Sequence, residues 1–316
     1  MEIVKNKILV LEGGFNEEHE ISLKTSIEIQ KSLIRLGFDY KVHLVSPESF
    51  REEIKEYSKE YLFFNALHGT FGEDGKVQKI LDDHQFKYTH SKSLSSSIAF
   101  DKDLTKKKLK NTDIPILESK TLHIDEITIN KFKKILNNFG SFVLKPISSG
   151  SSYGVKIIKS INDINCLFLD YNKLTGLYAN HKILMCEKYI NGRELTTTVF
   201  DDKNKAEAVA VTEIISKNNF FDYEAKYTKN KSNHVLPAKI SKEIYDNCLN
   251  YAKKAHEVIG CKGLSRSDFI LDKNKIFFLE INSQPGLTPM SLVPEQLSYK
   301  NIDFDSMIMN IIKCSL

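Results

Sequence analysis

Apolar and polar positions along the chain fall into blocks that change period. Lys7-Ile8-Leu9-Val10-Leu11 is an unbroken apolar run that stops at Gly13-Gly14, the pattern of a strand buried on both faces and entering a tight turn. From about Glu17 the apolar period lengthens, and Ile21, Ile29, Leu33 and Leu36 form the inner stripe of a helix that Gly37 ends. Tyr40 to Val45 and Tyr61 to Leu67 read as further strands, so the chain opens strand, helix, strand, the order of an α/β layer. In such layers ligands sit beyond the carboxyl ends of the strands, which sets Glu18 and His68 on one edge.

The middle of the chain begins with a serine-rich stretch, Ser91 to Ser97, followed by a lysine-rich helix from Asp101 to Lys110. A second helix is expected from about Asp125, as N-cap, to Gly140. Phe142 to Pro146 reads as a strand, and Ile147 to Gly154 as a loop of small residues. Beyond it come a strand at Lys182 to Ile190 and a hairpin around Asp201 to Lys205. The polar segment Ser216 to Ala238 has no period and is expected to be a covering loop. A helix from Ser241 to Ile259, stopped by Gly260, leads into the last hairpin.

That hairpin carries the densest chemistry. Phe269-Ile270-Leu271 and Ile276-Phe277-Phe278-Leu279 flank the polar turn Asp272 to Lys275. A three-residue loop, Lys273 to Lys275, sets Asp268 opposite Glu280 and Arg266 opposite Asn282, with all four polar groups on one face. Phe269, Leu271, Phe277, Leu279 and Ile281 then form the core layer. Like charges directly opposed on a sheet are destabilising unless something offsets them, and a divalent cation is the simplest candidate. A two- or four-residue loop puts the carboxylates on opposite faces, and a solvent-facing hairpin with scattered charges is the plainer reading of the same residues.

Composition narrows the class. The 316 residues are more than one core usually serves, and 27% charged with 41% hydrophobic is ordinary for a globular enzyme. A net charge of +4 suits an anionic small molecule and makes no case for nucleic acid. The five cysteines are scattered, with no CxxC pair, which points to reduced thiols and a cytoplasmic protein. Neither a membrane-length apolar run nor a signal-peptide pattern is present.

Two more constellations bear on chemistry. The loop Ser148 to Gly154 holds two glycines and four serines just after Lys145, so backbone N–H groups and hydroxyls can approach an anion closely. It is not a Walker A loop, and a plain flexible loop is the alternative. An unpaired lysine at a strand end calls for a compensating anion. Cys186-Glu187-Lys188-Tyr189-Ile190 with Glu194 offers strand backbone and acid groups that suit adenine and ribose, although an ordinary strand with solvent-facing charges has the same composition. His68-Gly69, Gly72-Glu73-Asp74-Gly75 and Asp222 to Tyr227 carry no claim singly.

Taken together, these segments resemble the D-alanine–D-alanine ligases, a branch of the ATP-grasp superfamily. The likeness runs from Leu11-Glu12-Gly13-Gly14 to Ser291-Leu292-Val293-Pro294. It rests most on Glu18 with Glu20-Ile21-Ser22, Ala66-Leu67-His68-Gly69, Gly72 to Gly75, Gly150-Ser151-Ser152, Glu224 to Tyr227, and Glu280-Ile281-Asn282 with Pro285-Gly286. The resemblance implies an α/β (α+β) ATP-grasp fold: an N-terminal parallel α/β unit (1–93), then two α+β units (94–186 and 187–316) clasping ATP. It implies ATP-dependent joining of two D-alanines through a D-alanyl phosphate, for peptidoglycan, by a cytoplasmic homodimer with no nucleic-acid or membrane partner.

The resemblance also implies site roles. Lys102, Lys145, Ser151, Ser152 and Gly154 match the phosphate contacts and closing loop, and Lys226 belongs with the nucleotide set. Glu187, Lys188, Ile190 and Glu194 match adenine and ribose contacts. Asp268, Glu280 and Asn282 match ligands of two Mg²⁺ ions, for which Mn²⁺ can substitute. Glu18 matches the carboxylate that receives the first D-alanine's ammonium, with His68 nearby, Ile21 and Ser22 belong with the substrate set, and Ser291 with Leu292 match contacts to the second D-alanine's carboxylate. Arg266 and the Gly286 N–H match the groups that hold the tetrahedral transition state, and Ser151, Tyr227 and Glu18 a triad tying the covering loop down.

Departures from the family pattern fall at Gln284, Ile147, Ser148, His90 and Ser265, and none removes an implied metal ligand. Two alternatives stand beside the dipeptide ligase. One is a relative making D-alanyl–D-lactate, which Tyr227 argues against, and the other a nucleotide-binding protein without turnover, which the joint presence of Arg266, Asp268, Glu280 and Asn282 opposes.

Overall fold

The computed structural model describes residues 7–16, 18–150, 154–169, 176–202, 205–216 and 232–316, and the described strands form three sheets. The first is parallel, in the order β2-β1-β3-β4, from β1 (Lys7–Gly13), β2 (Tyr40–Val45), β3 (Tyr61–Asn65) and β4 (Lys87–Tyr88). The central strand β1 is buried along Ile8 to Leu11, as its unbroken apolar run requires. The strand expected to reach Leu67 ends at Asn65, whose side chain accepts the Leu67 N–H at 3.1 Å and so turns the chain. Helix His19–Arg35 covers the sheet with Ile21, Ile29 and Leu33. Helix Phe304–Ser315 returns from the far end of the chain to the same core, and Arg35 holds it through a bidentate pair to Asp305.

The second sheet is antiparallel, in the order β5-β8-β6-β7, built from β5 (Ser119–His123), β6 (Phe142–Pro146), β7 (Lys156–Ile158) and β8 (Ile183–Lys188). Helix Ile129–Phe139 backs it through Phe132, Ile135 and Leu136. This helix starts later than the sequence predicts. Asp125 sits instead in a 3₁₀ turn capped by His123, and Thr128 is the N-cap, its hydroxyl accepting the Lys131 N–H at 3.2 Å. Gly140 closes the helix at φ +78°, as expected.

The third sheet runs β11-β10-β9-β12-β13, from β9 (Arg193–Asp202), β10 (Lys205–Ser216), β11 (Ser232–Val235), β12 (Leu264–Asp272) and β13 (Lys275–Asn282). Helix Lys242–Ile259 lies behind it, opened by Ser241 and closed by Gly260 in the left-handed region. The serine-rich stretch turns out to be a helix, Ser93–Phe100, followed by Lys102–Leu109 capped by Asp101. Ile98, Ala99, Leu109 and Ile114 join the core of the third sheet. β11 lies inside the segment expected to be a loop, and residues 217–231 of that segment fall outside the described residues. Among the described residues no helix is long and apolar enough to cross a membrane.

Candidate active site

The hairpin β12–β13 reaches the expected pairing by an unexpected route. Asp272 pairs with Lys275, so the loop has two residues, Lys273 and Asn274, with Lys273 at φ +52°. A two-residue loop alone throws Asp268 and Glu280 onto opposite faces. A bulge at Leu279 adds one residue to β13 and restores the register, so Asp268 opposes Glu280 and Arg266 opposes Asn282. The core layer changes accordingly. Ile276 and Phe278 pack inward with Phe269, Leu271 and Ile281, whereas Leu279 lines a cleft with Ile270.

The protein itself offsets the opposed carboxylates. Arg266 grips Asp268 with two bonds, Nε to Oδ1 at 2.9 Å and a terminal nitrogen to Oδ2 at 2.8 Å, and Thr196 on β9 donates to Oδ1 at 2.6 Å. Lys102 Nζ lies 3.2 Å from Glu280 Oε2 and donates to the Ser149 carbonyl at 3.0 Å. The charge opposition therefore does not by itself demand a metal. The donor set still fits a hard cation: two carboxylates and the Asn282 amide offer oxygen only. Asn282 Oδ1 is held in place by the Gln284 N–H at 2.8 Å. Among the described residues no group of three or more His, Cys, Asp or Glu side chains is placed to hold a metal, so an ion here would depend on oxygen from a bound phosphate.

An open cleft of about 1100 Å³ lies between the second and third sheets. It brings together Lys102, Lys145, Glu187, Lys188, Ile190, Glu194, Asp268 and Glu280, residues spread over nearly 180 positions of sequence. Lys145 is not the unpaired lysine that its strand end suggested. Its ammonium donates to Glu187 Oε2 at 2.6 Å, while Lys106 pairs with the other oxygen, all three side chains being buried. Burial alone pushes the Glu187 carboxyl up, but Lys145 and Lys106 outweigh it and hold the group below the usual carboxylate range. Gly154 precedes Val155 of the cleft wall; a Cβ on it would come within 2.8 Å of the Tyr178 ring, and its carbonyl accepts the Tyr178 hydroxyl at 2.6 Å. Ser151, Ser152, Lys226 and Tyr227 lie outside the described residues.

A second recess, about 650 Å³, opens off the first and shares Lys102, Ser149 and Glu280 with it. Its other walls include Glu18, His68, Gly150, Arg266, Asn282 and Gly286. Glu18 is buried against two glycines: a Cβ on Gly69 would lie 2.5 Å, and one on Gly150 2.7 Å, from Glu18 Oε2. His68 is fixed at both nitrogens, Nδ1 to Glu73 at 3.2 Å and Nε2 to the Thr25 hydroxyl at 2.9 Å. Ser22 has no part in this wall. It is fully buried, accepts the Gly13 N–H and donates to the Ala66 carbonyl, both at 2.9 Å, and so binds the ends of β1 and β3 together.

A third depression of about 1340 Å³ shares Arg266 and Gly286 with the second and is lined also by Ile21, Ser291 and Leu292. Ser291 is the N-cap residue of helix Leu292–Tyr299, and its hydroxyl accepts the Thr288 N–H at 3.1 Å. Gln296 secures that helix to the third sheet through the Thr198 N–H at 2.8 Å and the Thr196 carbonyl at 3.1 Å. The three recesses thus form a row, joined first at Lys102 and Glu280, then at Arg266 and Gly286.

Sequence reasoning missed Lys106, Thr25, Gln296 and the positioning role of Gln284. Buried Gln284 accepts from Asn65 at 2.7 Å and donates to the Leu67 carbonyl, which ties the end of β13 to the loop carrying His68. Its signal in the sequence was its departure from the family pattern at that position.

Comparison with known proteins gives a consistent picture. A family model described as "D-ala D-ala ligase C-terminus" matches residues 108–313. The chain is 40% identical over 319 residues to the D-alanine–D-alanine ligase of Zymomonas mobilis, covering 99% of this chain and 94% of that protein. Among solved structures, D-alanyl-alanine synthetase A from Vibrio cholerae shares the fold, with a TM-score of 0.84 at 24% identity over 99% of both chains. The D-alanine–D-alanine ligase of Bacillus anthracis complexed with ATP has a TM-score of 0.79 at 26% identity, over 98% of this chain and 96% of that one.

Proposed function

The chain belongs to the D-alanine–D-alanine ligase family, and from that membership we propose how its own residues carry out the family's reaction. It is an ATP-grasp enzyme that ligates two D-alanines at the expense of ATP, a step of cell-wall precursor synthesis. The observation that carries the residue assignment is the row of three recesses with two junctions.

The first recess takes ATP. Lys188, Ile190 and Glu194 face the base and ribose, while Lys102 and Lys145 face the phosphates. The second takes the first D-alanine, its ammonium directed to Glu18 and its carboxylate toward the junction at Lys102 and Glu280. There a carboxylate oxygen attacks the γ-phosphorus, the bond to ADP breaks, and D-alanyl phosphate forms. Anion–anion repulsion is the main barrier, and the lysines relieve it. Asp268, Glu280 and Asn282 would hold Mg²⁺, two ions with Mn²⁺ able to replace them, and such ions supply charge neutralisation at the phosphates.

The third recess takes the second D-alanine, its carboxylate against Ser291 and the N-terminus of helix Leu292–Tyr299. Its neutral amine attacks the acyl carbon at the second junction. The developing oxyanion faces the Arg266 guanidinium and the Gly286 N–H, and phosphate leaves with the bridging oxygen. Holding Arg266 on Asp268 fixes the guanidinium before the charge develops. The triad that the family implies, Ser151, Tyr227 and Glu18, would keep water from the acyl phosphate. We further assign a homodimer working in the cytoplasm, divided near residues 93 and 186, with the helices between 93 and 109 packing on the third sheet.

Gly150→Ala tests the donor recess. A methyl 2.7 Å from Glu18 Oε2 must displace the carboxylate, so the KM for the first D-alanine is expected to rise about tenfold with ATP affinity little changed. An unchanged donor KM contradicts the role of Glu18. The substrate class itself is read from ADP release with D-alanine, L-alanine and D-lactate, separately and in pairs. Release with D-alanine alone supports the reading, and release that appears only when D-lactate is added to D-alanine overturns it in favour of a depsipeptide.

A further inference from the structure

Three buried charged groups meet at the wall of the nucleotide cleft, and one of them does not line it. Glu187 on β8 divides its carboxylate between two cations, Oε2 to Lys145 of β6 at 2.6 Å and Oε1 to Lys106 of helix Lys102–Leu109. Lys145 and Glu187 line the cleft, while Lys106 stays behind them and donates its other hydrogen bond to the Leu117 carbonyl at 2.9 Å. Two ammoniums and one carboxylate leave one net positive charge. Asp103, the other acid acting on Lys106, is engaged by Lys107 at 2.6 Å.

A buried charge without compensation is costly, and the cost falls when an anion arrives. The open side of this triad is the cleft, and Lys145 is the ammonium that faces it. With Lys106 absent, Glu187 would neutralise Lys145 alone, and a phosphate would have to compete with a satisfied ion pair. With Lys106 present, one carboxylate serves two cations and Lys145 keeps attraction to spare. Burial does pull the Lys106 ammonium below its ordinary value against the attraction of Glu187, and the charge on Lys145 adds to the pull.

We propose that Lys106 is a positioning residue for nucleotide phosphates: by drawing off half of the Glu187 carboxylate, it leaves Lys145 available to ATP. The inference rests on the reading of the cleft as the ATP site. Its consequence is selective. Recognition of the phosphates depends on Lys106, and recognition of the nucleoside does not.

The test is calorimetric titration of the full chain with ATP in Mg²⁺ buffer and, separately, with adenosine. In Lys106→Met, which keeps the side chain's length, the ratio of ATP to adenosine affinity is expected to fall about tenfold or more, while adenosine binds as before. Lys106→Arg keeps the charge and should hold that ratio within about threefold of the native value. A role in packing alone gives the opposite order, since arginine is the bulkier replacement. Equal losses for ATP and adenosine, or an unchanged ratio in Lys106→Met, overturn the proposal. A native chain that binds ATP no better than adenosine would instead refute the nucleotide reading beneath it.

Discussion

Glu280→Gln is expected to remove turnover, with D-alanine-dependent ADP release falling about a thousandfold or more, while the fold stays intact. Glu280 sits at the junction of the first two recesses, part-exposed, so an isosteric amide disturbs no core packing. What it removes is the charge opposite Asp268 and beside Lys102. The stability change should stay near 1–2 kcal/mol, since Lys102 keeps its bond to the Ser149 carbonyl. Steady-state kinetics paired with thermal melting checks both halves. Near-native phosphate release by the variant would sink the assignment of this carboxylate.

The second large effect is on stability. Glu187→Gln leaves Lys145 and Lys106 buried without their shared counter-charge, which is expected to cost about 3–5 kcal/mol. The pH dependence follows from the direction of the Glu187 shift. Its folded pKa is depressed below the ordinary value of 4.5, so its stabilisation is full above that value and is lost as pH falls through the folded pKa. Native protein should therefore lose stability steeply in that acid window, and the glutamine variant should show a shallower acid limb. Denaturant midpoints measured from pH 7 down to the acid limit test this. Parallel curves for the two proteins would mean that the triad contributes nothing to acid sensitivity.

These two residues also mark where the sequence was legible and where it was not. Local rules read well: the buried run of β1, the Ser241 and Gly260 caps, the Gly140 stop and the carboxylate pair of the last hairpin all follow from neighbours in sequence. Even so, the hairpin register was reached through two departures that cancel, a shorter loop and a bulge at Leu279. Alternation cannot reveal a bulge, because apolar Leu279 suits the expected core layer as well as it suits the cleft wall. The Asp125 cap failed because a competing cap, Thr128, lay three residues on and the 3₁₀ turn consumed the first.

Long-range pairing was illegible. Nothing local to Lys145 says that Glu187 will face it or that Lys106 will share the carboxylate, since the three positions meet only when two strands and a helix pack. The same holds for Gln284, whose partners Asn65 and Leu67 lie more than 210 residues away. Ser22 shows the converse error. Residues adjacent to a functional carboxylate in sequence are turned inward by the helix, and this one clamps two strands instead of touching the recess.

The central claim is that one row of recesses passes a carboxylate from phosphoryl transfer to acyl transfer. It is tested most directly with D-alanine carrying ¹⁸O in both carboxylate oxygens. If the donor carboxylate attacks phosphorus and the amine then displaces phosphate, each inorganic phosphate released during dipeptide formation carries one ¹⁸O from D-alanine. Phosphate free of label, at a yield of dipeptide matching ADP, would contradict the acyl phosphate route and the assignment of the two junctions with it.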